Sequence, residues 1–397
     1  MLYREAGQFK TTYEADQAIF PIAQDRWFVI TAVIAAYVVV PFLANDYWYE
    51  VILLPILVFS LSALGLNVLT GYCGQVSLGQ GGFMAVGAYM SFKLATAFPE
   101  LNVIFVFLLS GLFAAAAGVV FGIPSLRIKG FYLAVATLAA QFFFEWLFQQ
   151  VGWFSNYSPS GTIAAPHQEA FGLVISGPQT SGAVKYLIGL TFLVVFCVIV
   201  KNLVRSHLGR SWMAIRDMDI AAELIGIKPL QTKLLAFAIS SYIAGVSGAL
   251  FLFLVQGSLE MESFDVINVS FPVLFMIIVG GLGSVMGSIF GATFLIMTPV
   301  FIKNFPELTT AAVLVALGIG AVVWLARFGA VRWAPLVAAV PAAIWILFQK
   351  FQSNTAEHIV LMFFGLSIIL ILIFEPNGLA RLWQIAKEKL RLWPFPY

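Results

Sequence analysis

The chain has 397 residues and a formal net charge of +2; 61% of the residues are hydrophobic and only 10% are charged. Mean hydropathy is +0.96. A water-soluble protein carries about a quarter charged residues to cover its surface, so the apolar excess must face lipid, and the chain reads as an integral membrane protein. Near-neutral charge argues against a nucleic-acid partner. Two cysteines, Cys73 and Cys197, and three scattered histidines, His167, His207 and His358, supply neither a disulfide framework nor a metal cluster.

Residues 1–26 mix Arg4, Lys10 and Arg26 with Glu5, Glu14, Asp16 and Asp25 and lack an apolar run of signal-peptide length. They read as a cytoplasmic N-terminal segment ahead of a transmembrane domain over residues 27–380. At about 20 apolar residues per crossing, candidate spans fall near 27–44, 51–69, 82–98, 101–123, 131–150 and 185–204. More follow near 234–256, 269–283, 285–303, 309–327, 333–349 and 358–375. The expected fold is all-α and polytopic, with about 10–12 transmembrane helices. A cytoplasmic N-terminus gathers Arg127, Lys129, Lys201, Arg205, Arg210, Arg216, Lys228 and Lys233 on its own side, with Arg327, Arg332 and the basic tail of 381–397. Lys185, Lys303 and Lys350 fall opposite, and Lys93 lies inside or near the end of a span. This bias predicts that both termini are cytoplasmic. Residues 152–184, rich in Ser, Gly, Pro and Thr, then form an external loop long enough to face a partner.

No Gly-Lys pair occurs anywhere, so the chain has no phosphate-cradling P-loop. The His-Glu-x-x-His and Gly-x-Ser-x-Gly patterns are also missing. Catalytic residues, metal ligands and a cofactor of its own are therefore not expected. Residues 205–230 read as a short amphipathic cytoplasmic helix. Ile215, Met218, Ala222 and Ile225 share one stripe, while Arg216, Asp219 and Glu223 share another. Gly226 is a helix stop, and Pro229 lies just beyond it. Alternating acids and bases suit a protein-docking helix better than one lying on lipid.

Thr70 to Gly82 interrupts an apolar region with five glycines and two glutamines. Tyr72, Gln75, Ser77 and Gln80 there either line a substrate pathway, with helix N-terminal amides aimed at a carboxylate, or belong to a short turn between spans. Glu145, with Gln141, lies inside a span and faces a cavity or a neighbouring chain. Gly280, Gly281, Gly283 and Gly287 continue to Gly291 at small-residue spacing and serve helix packing or a hinge. Gly118 and Gly122 read as packing positions.

Several blocks together carry a resemblance. Ala221-Ala222-x-x-x-Gly226 resembles the "EAA" loop of ABC importer permeases. Its flanks, Gly209-Arg-Ser-Trp-Met-Ala-Ile-Arg-Asp217 and Lys233-Leu-Leu-Ala-Phe-Ala-Ile-Ser240, are similar to the branched-chain amino acid permeases of the LivM type. So are Ala63-Leu-Gly-Leu-Asn67, Gly71-Tyr-Cys-Gly-Gln-Val-Ser-Leu-Gly79, Gly87-Ala-Tyr89 and Leu126-Arg-Ile-Lys-Gly-x-Tyr-Leu-Ala-Val-Ala-Thr137. Gly280-Gly-Leu-Gly-Ser284 and Glu375-Pro-Asn-Gly-Leu379 complete the set, in family order.

The resemblance implies the ABC importer permease fold and a bacterial inner-membrane location. It also implies two cytoplasmic ATPase subunits that carry ATP and Mg, a second homologous permease and a periplasmic substrate-binding protein. Arg210, Arg216, Asp217, Asp219, Ala221, Ala222, Glu223 and Gly226 are the implied ATPase-coupling set. The implied substrates are branched-chain or other hydrophobic amino acids, while related permeases serve urea, short amides and aromatic or organic acids. Two departures stand out: Ile220 occupies the glutamate position of the pattern, and residues 306–357 look like an extra helical pair. An ion-coupled carrier built on Glu145, or a structural scaffold, is the competing reading.

Overall fold

The computed structural model describes residues 12, 23–125, 131–170, 173–175, 180–304 and 377–392, with isolated positions between 364 and 373. Residues 294–373 form a compact unit of their own; the helices and contacts below concern residues 1–293 and 374–397 unless a range says otherwise. The expected spans at 309–327 and 333–349, most of 358–375, and the extra pair at 306–357 lie outside the described residues.

The remaining expected spans all coincide with helices. These are α1 (Ala23–Leu43), α2 (Trp48–Tyr72), α3 (Gln80–Ala97), α4 (Val103–Ser125), α5 (Phe131–Gln150) and α6 (Gly182–Arg205). Two short helices, α7 (His207–Asp217) and α8 (Asp219–Leu224), precede α9 (Pro229–Gln256). Then come α10 (Phe271–Gly280), α11 (Val285–Asn304) and α12 (Leu379–Leu392). Among the described residues, six helical segments are long and apolar enough to cross a membrane. The segments expected at 82–98, 131–150 and 285–303 are helical but not among those six: α3 is diluted by Gln80, Gly81, Gly82 and Lys93, and α11 is apolar over only Val285–Val300. The one expected at 269–283 overlaps the span Met261–Gly280, whose last ten residues are α10. Pro272, in the first turn of α10, suits a helix start because its missing N–H has no helical partner there.

The core forms around α9, which packs on α2, α3, α4 and α10, and 78% of its apolar window is buried. Small residues permit this approach. A Cβ at Gly111 would lie 2.7 Å from Val246 Cγ2, and one at Gly122 would lie 3.1 Å from Leu234 Cδ1. Ser241 closes over Gly118, so the packing role expected of Gly118 and Gly122 is what these helices use. On the other side of α9, a Cβ at Gly87 would overlap the Gly245 carbonyl, and backbone cannot step aside as a side-chain tip can. Gly87→Val should therefore cost about 3 kcal/mol or more, read as loss of the monodisperse peak in detergent gel filtration. By contrast α1 buries none of its apolar window. It is held by Tyr37 Oη donating to Thr191 Oγ1 at 2.9 Å and by Tyr186 Oη donating to the Ala36 carbonyl at 3.2 Å.

The described parts of residues 152–184 are tied to their surroundings. β1 (Ile163–Ala164) pairs antiparallel with β4 (Ser258–Leu259), and β2 (Glu169–Ala170) pairs with β3 (Leu173–Val174). Lys93, near the end of α3, donates to Asn156 Oδ1 and lies 4.3 Å from the Trp153 ring centroid, a cation–π contact. Gln168 Nε2 donates to the Ala95 carbonyl at 3.3 Å.

Candidate functional site: a half-helix junction and the helix pair that reaches it

The segment expected as one amphipathic helix is two. Met218 is extended (φ −159°, ψ 101°), which ends α7 and starts α8 in a new direction. The expected stripe divides there: Ile215 and Ala222 are buried, whereas Met218 and Ile225 are exposed. Ser206 caps α7, its Oγ accepting from Leu208 N at 3.2 Å. Gly226, at φ +92°, closes α8 in a conformation that favours glycine, as the sequence predicts.

Three contacts fasten the pair to the start of α9. Trp212 is fully buried, and its Nε1 donates to the Thr232 carbonyl at 3.0 Å. Ala222 packs inward. Lys233, only 9% exposed, pairs with Asp219 at 2.7 Å. Asp219, expected in the ATPase-coupling set, thus turns toward its own chain. The opposite side of α8 shows Met218, Ile220, Leu224 and Ile225 to the surroundings, Leu224 at 84% exposure. Arg210, Asp217, Ala221 and Glu223 are also exposed.

Arg216, though 40% exposed, reaches the bundle with one end of its guanidinium. Its Nη1 donates to the Gly71 carbonyl at 3.1 Å, while Nε and Nη2 both donate to Asp217 Oδ1 at 3.1 Å. Gly71 lies in the π-helical last turn of α2, where the backbone has left the α-helical ladder. It packs on Asn67, a fully buried side chain with three bonds: Oδ1 accepts from Gly283 N at 2.8 Å, and Nδ2 donates to Ser284 O at 2.7 Å and Ser288 Oγ at 2.9 Å. The Gly280–Ser284 block is therefore a tight turn between α10 and α11, with Gly281 at φ +119° and Gly283 at φ +75°. Gly287 and Gly291 pack against the backbones of Gly280 and Met276, and Gly378 approaches Gly281 to 2.6 Å of a Cβ position. Sequence reasoning had no signal tying Asn67 to this turn, because its partners lie more than 200 positions away.

Beyond Tyr72 the chain does not cross again as a plain hairpin. Gln80 Nε2 donates to Ser62 O at 3.0 Å and to Ser62 Oγ at 3.3 Å. Ser62 lies ten residues (62 to 72) before the end of α2, so α3 begins about 15 Å back along that helix, close to its middle. The non-helical segment Cys73–Gly79 covers the return, since seven extended residues reach about 23 Å. Such backbone at membrane depth calls for protein cover, and part of it has it, although Gly74 and Val76 are exposed. Leu78 N donates to Thr137 Oγ1 at 2.9 Å, and Thr70 Oγ1 donates to Gln75 O at 3.1 Å. Gln75 Nε2 donates to Cys73 O at 3.3 Å, and buried Ser77 accepts from Gly79 N at 3.4 Å. Tyr72 and Cys73 are buried as well.

The second half-helix, α10, starts at the same level. Gly81 N donates to Ser270 Oγ at 2.9 Å. Gln141, fully buried on α5, joins both starts: its Oε1 accepts from Gly82 N and from Ser270 Oγ (3.2 Å). Its Nε2 donates to Phe264 O at 2.7 Å and to Glu145 Oε1 at 2.9 Å. All four hydrogen-bonding positions of the amide are filled. The α3 amides at Gly81 and Gly82, at the end of the stretch read either as pathway lining or as a turn, are met by these side chains. Of the pathway candidates, Gln80 and Glu145 converge on this cluster, whereas Tyr72, Gln75 and Ser77 lie in the segment leading to it.

A polytopic helical bundle with interrupted helices meeting inside it is a construction that membrane transport proteins use. The family model described as "Branched-chain amino acid transport system / permease component" matches residues 49–322, and the chain belongs to that family. It is 34% identical over 270 residues to the high-affinity branched-chain amino acid transport system permease protein LivM of Salmonella typhimurium (strain LT2). It is 33% identical over 270 residues to the protein of the same name in Escherichia coli (strain K12). The match spans 63% of this chain and 63% of each relative. No solved structure matches the chain.

Proposed function

We propose that this chain is the membrane-spanning permease subunit of an ATP-driven importer of branched-chain or similarly apolar small amino acids. In this reading it sits in the bacterial inner membrane with α7, α8 and both termini on the cytoplasmic side. Two ATPase subunits bind ATP and Mg, a second permease completes the channel, and a periplasmic binding protein delivers substrate. The observation that carries the reading is the apolar tip of α8, where Ile220 is 68% and Leu224 84% exposed on a short helix pair bolted to the bundle. Large apolar side chains gathered at an aqueous surface mark a protein contact. Glu223 beside them supplies a charge for the rim of that contact.

The test replaces Ile220 and Leu224 with aspartate in the complete transporter and measures ATPase co-purification and amino acid uptake. Both should fall at least tenfold while membrane insertion is unchanged; retained ATPase would overturn the reading. Ala222→Glu is a poorer probe, because Ala222 is buried and a carboxylate there breaks the α8–α9 packing first. An ion-coupled carrier would instead lose uptake to an uncoupler while ATP stays high.

A further inference from the structure

We infer that Arg216 is a positioning residue that carries displacement of the α7–α8 pair into the end of α2 and the turn between α10 and α11. The inference rests on the reading that this pair docks an ATPase, and it assigns Arg216 away from the docking surface. Arg216 is the last-turn cation of α7, and its guanidinium grips two things at once. Its Nε and Nη2 hold the neighbouring Asp217, the last residue of α7, and Nη1 holds the Gly71 carbonyl at the end of α2. A planar fork fixes direction as well as distance between the two. The junction is shaped to admit it. Gly74, at φ +72°, leaves the Arg216 side chain room where a Cβ would stand 2.9 Å from Arg216 Cγ.

From Gly71 the connection continues through rigid contacts. Gly71 is seated on Asn67, and Asn67 binds Gly283, Ser284 and Ser288. Gly281 of the same turn lies against Asn377 and Gly378. Movement of α7 is thereby applied to the end of α2, to the turn between α10 and α11, and to the start of the Cys73–Gly79 segment that leads to Gln80. The Lys233–Asp219 pair, by contrast, fastens α8 to α9 and does not touch this turn.

The test compares Arg216→Gln, Arg216→Lys and the exposed control Arg210→Gln in the complete transporter with its ATPases and second permease. For Arg216→Gln the ATPases should stay bound and hydrolysis should remain within about twofold, while substrate moved per ATP falls at least tenfold. Lysine keeps one donor for the Gly71 carbonyl and should recover part of that ratio. A drop in uptake and hydrolysis together, with the ratio intact, would overturn the inference; loss of the ATPases would too, because Arg216 would then belong to the docking contact. A second measurement needs no ATPase: hydrogen exchange of the purified full chain should quicken over residues 280–288 in Arg216→Gln but not in Arg210→Gln. Unchanged exchange there would overturn the inference even if the ATPases dock as proposed. Quickened exchange in a wild-type-like chain that never binds an ATPase would count against the functional reading and not against the contact.

Discussion

Gln141→Leu is expected to lower the unfolding free energy by about 2–4 kcal/mol. Leucine fills nearly the same volume, so the loss is that of the hydrogen bonds, not of packing. Four are removed at once, and each buried polar bond in a membrane protein is worth about 0.6 kcal/mol on average. Gly82 N, the Ser270 hydroxyl and the Phe264 carbonyl are also left in a site without water, where an unmet group costs about 1–3 kcal/mol. These are two counts of the same loss and are not summed: four bonds at that average, or three stranded groups at the low end of their cost, each give a value within the stated range. Glu145→Gln is the control: it loses a carboxylate that takes one bond from Gln141, and it should shift stability by less than about 1 kcal/mol. Thermal unfolding in detergent separates the two. Equal midpoints for both variants would show that Gln141 does not hold the half-helices.

The second large effect is at Lys233. With Asp219→Ala the ammonium, nearly buried at the start of α9, has no counter-charge. Breaking a fully buried pair costs about 3–5 kcal/mol. The Asp219 side chain is 31% exposed, so water takes part of its role and about 2 kcal/mol is the expected loss. The loss is local: α8 should detach from α9, and limited proteolysis should cut between 218 and 228. Adding Lys233→Met removes the stranded charge and should restore protection, because an apolar side chain suits a position that is only 9% exposed. If the double variant is cut as readily as Asp219→Ala, the attraction itself, not the stranded charge, was what mattered.

Much of this architecture is legible in the residues. Each described span follows from run length and hydropathy, and the Gly118–Gly122 spacing announces the tight α4–α9 crossing. Gly226 and Pro229 bound the docking segment as local chemistry dictates. What escaped has a common cause. The break at Met218 is made by tertiary contacts: Trp212 and Ile215 seat α7 while Lys233 turns α8, and no breaker residue stands at 218. The mid-depth start of α3 escaped because its evidence is in distant partners, Ser62, Gln141 and Ser270. Polar residues in a span show that something must satisfy them, and only the fold shows what. The same holds for Asp219 and Arg216, which in one dimension look like surface charges of a docking helix.

The bond from Gly81 N to Ser270 Oγ joins positions 189 residues apart. A ribosome adding about 5–20 residues per second delivers Ser270 roughly 10–40 s after Gly81. For that interval the first turn of α3 is made but its acceptor is not yet synthesised, and lipid offers no substitute. Until then this stretch must wait beside water or within the insertion machinery, and the start of α3 can settle only after Ser270 has been translated.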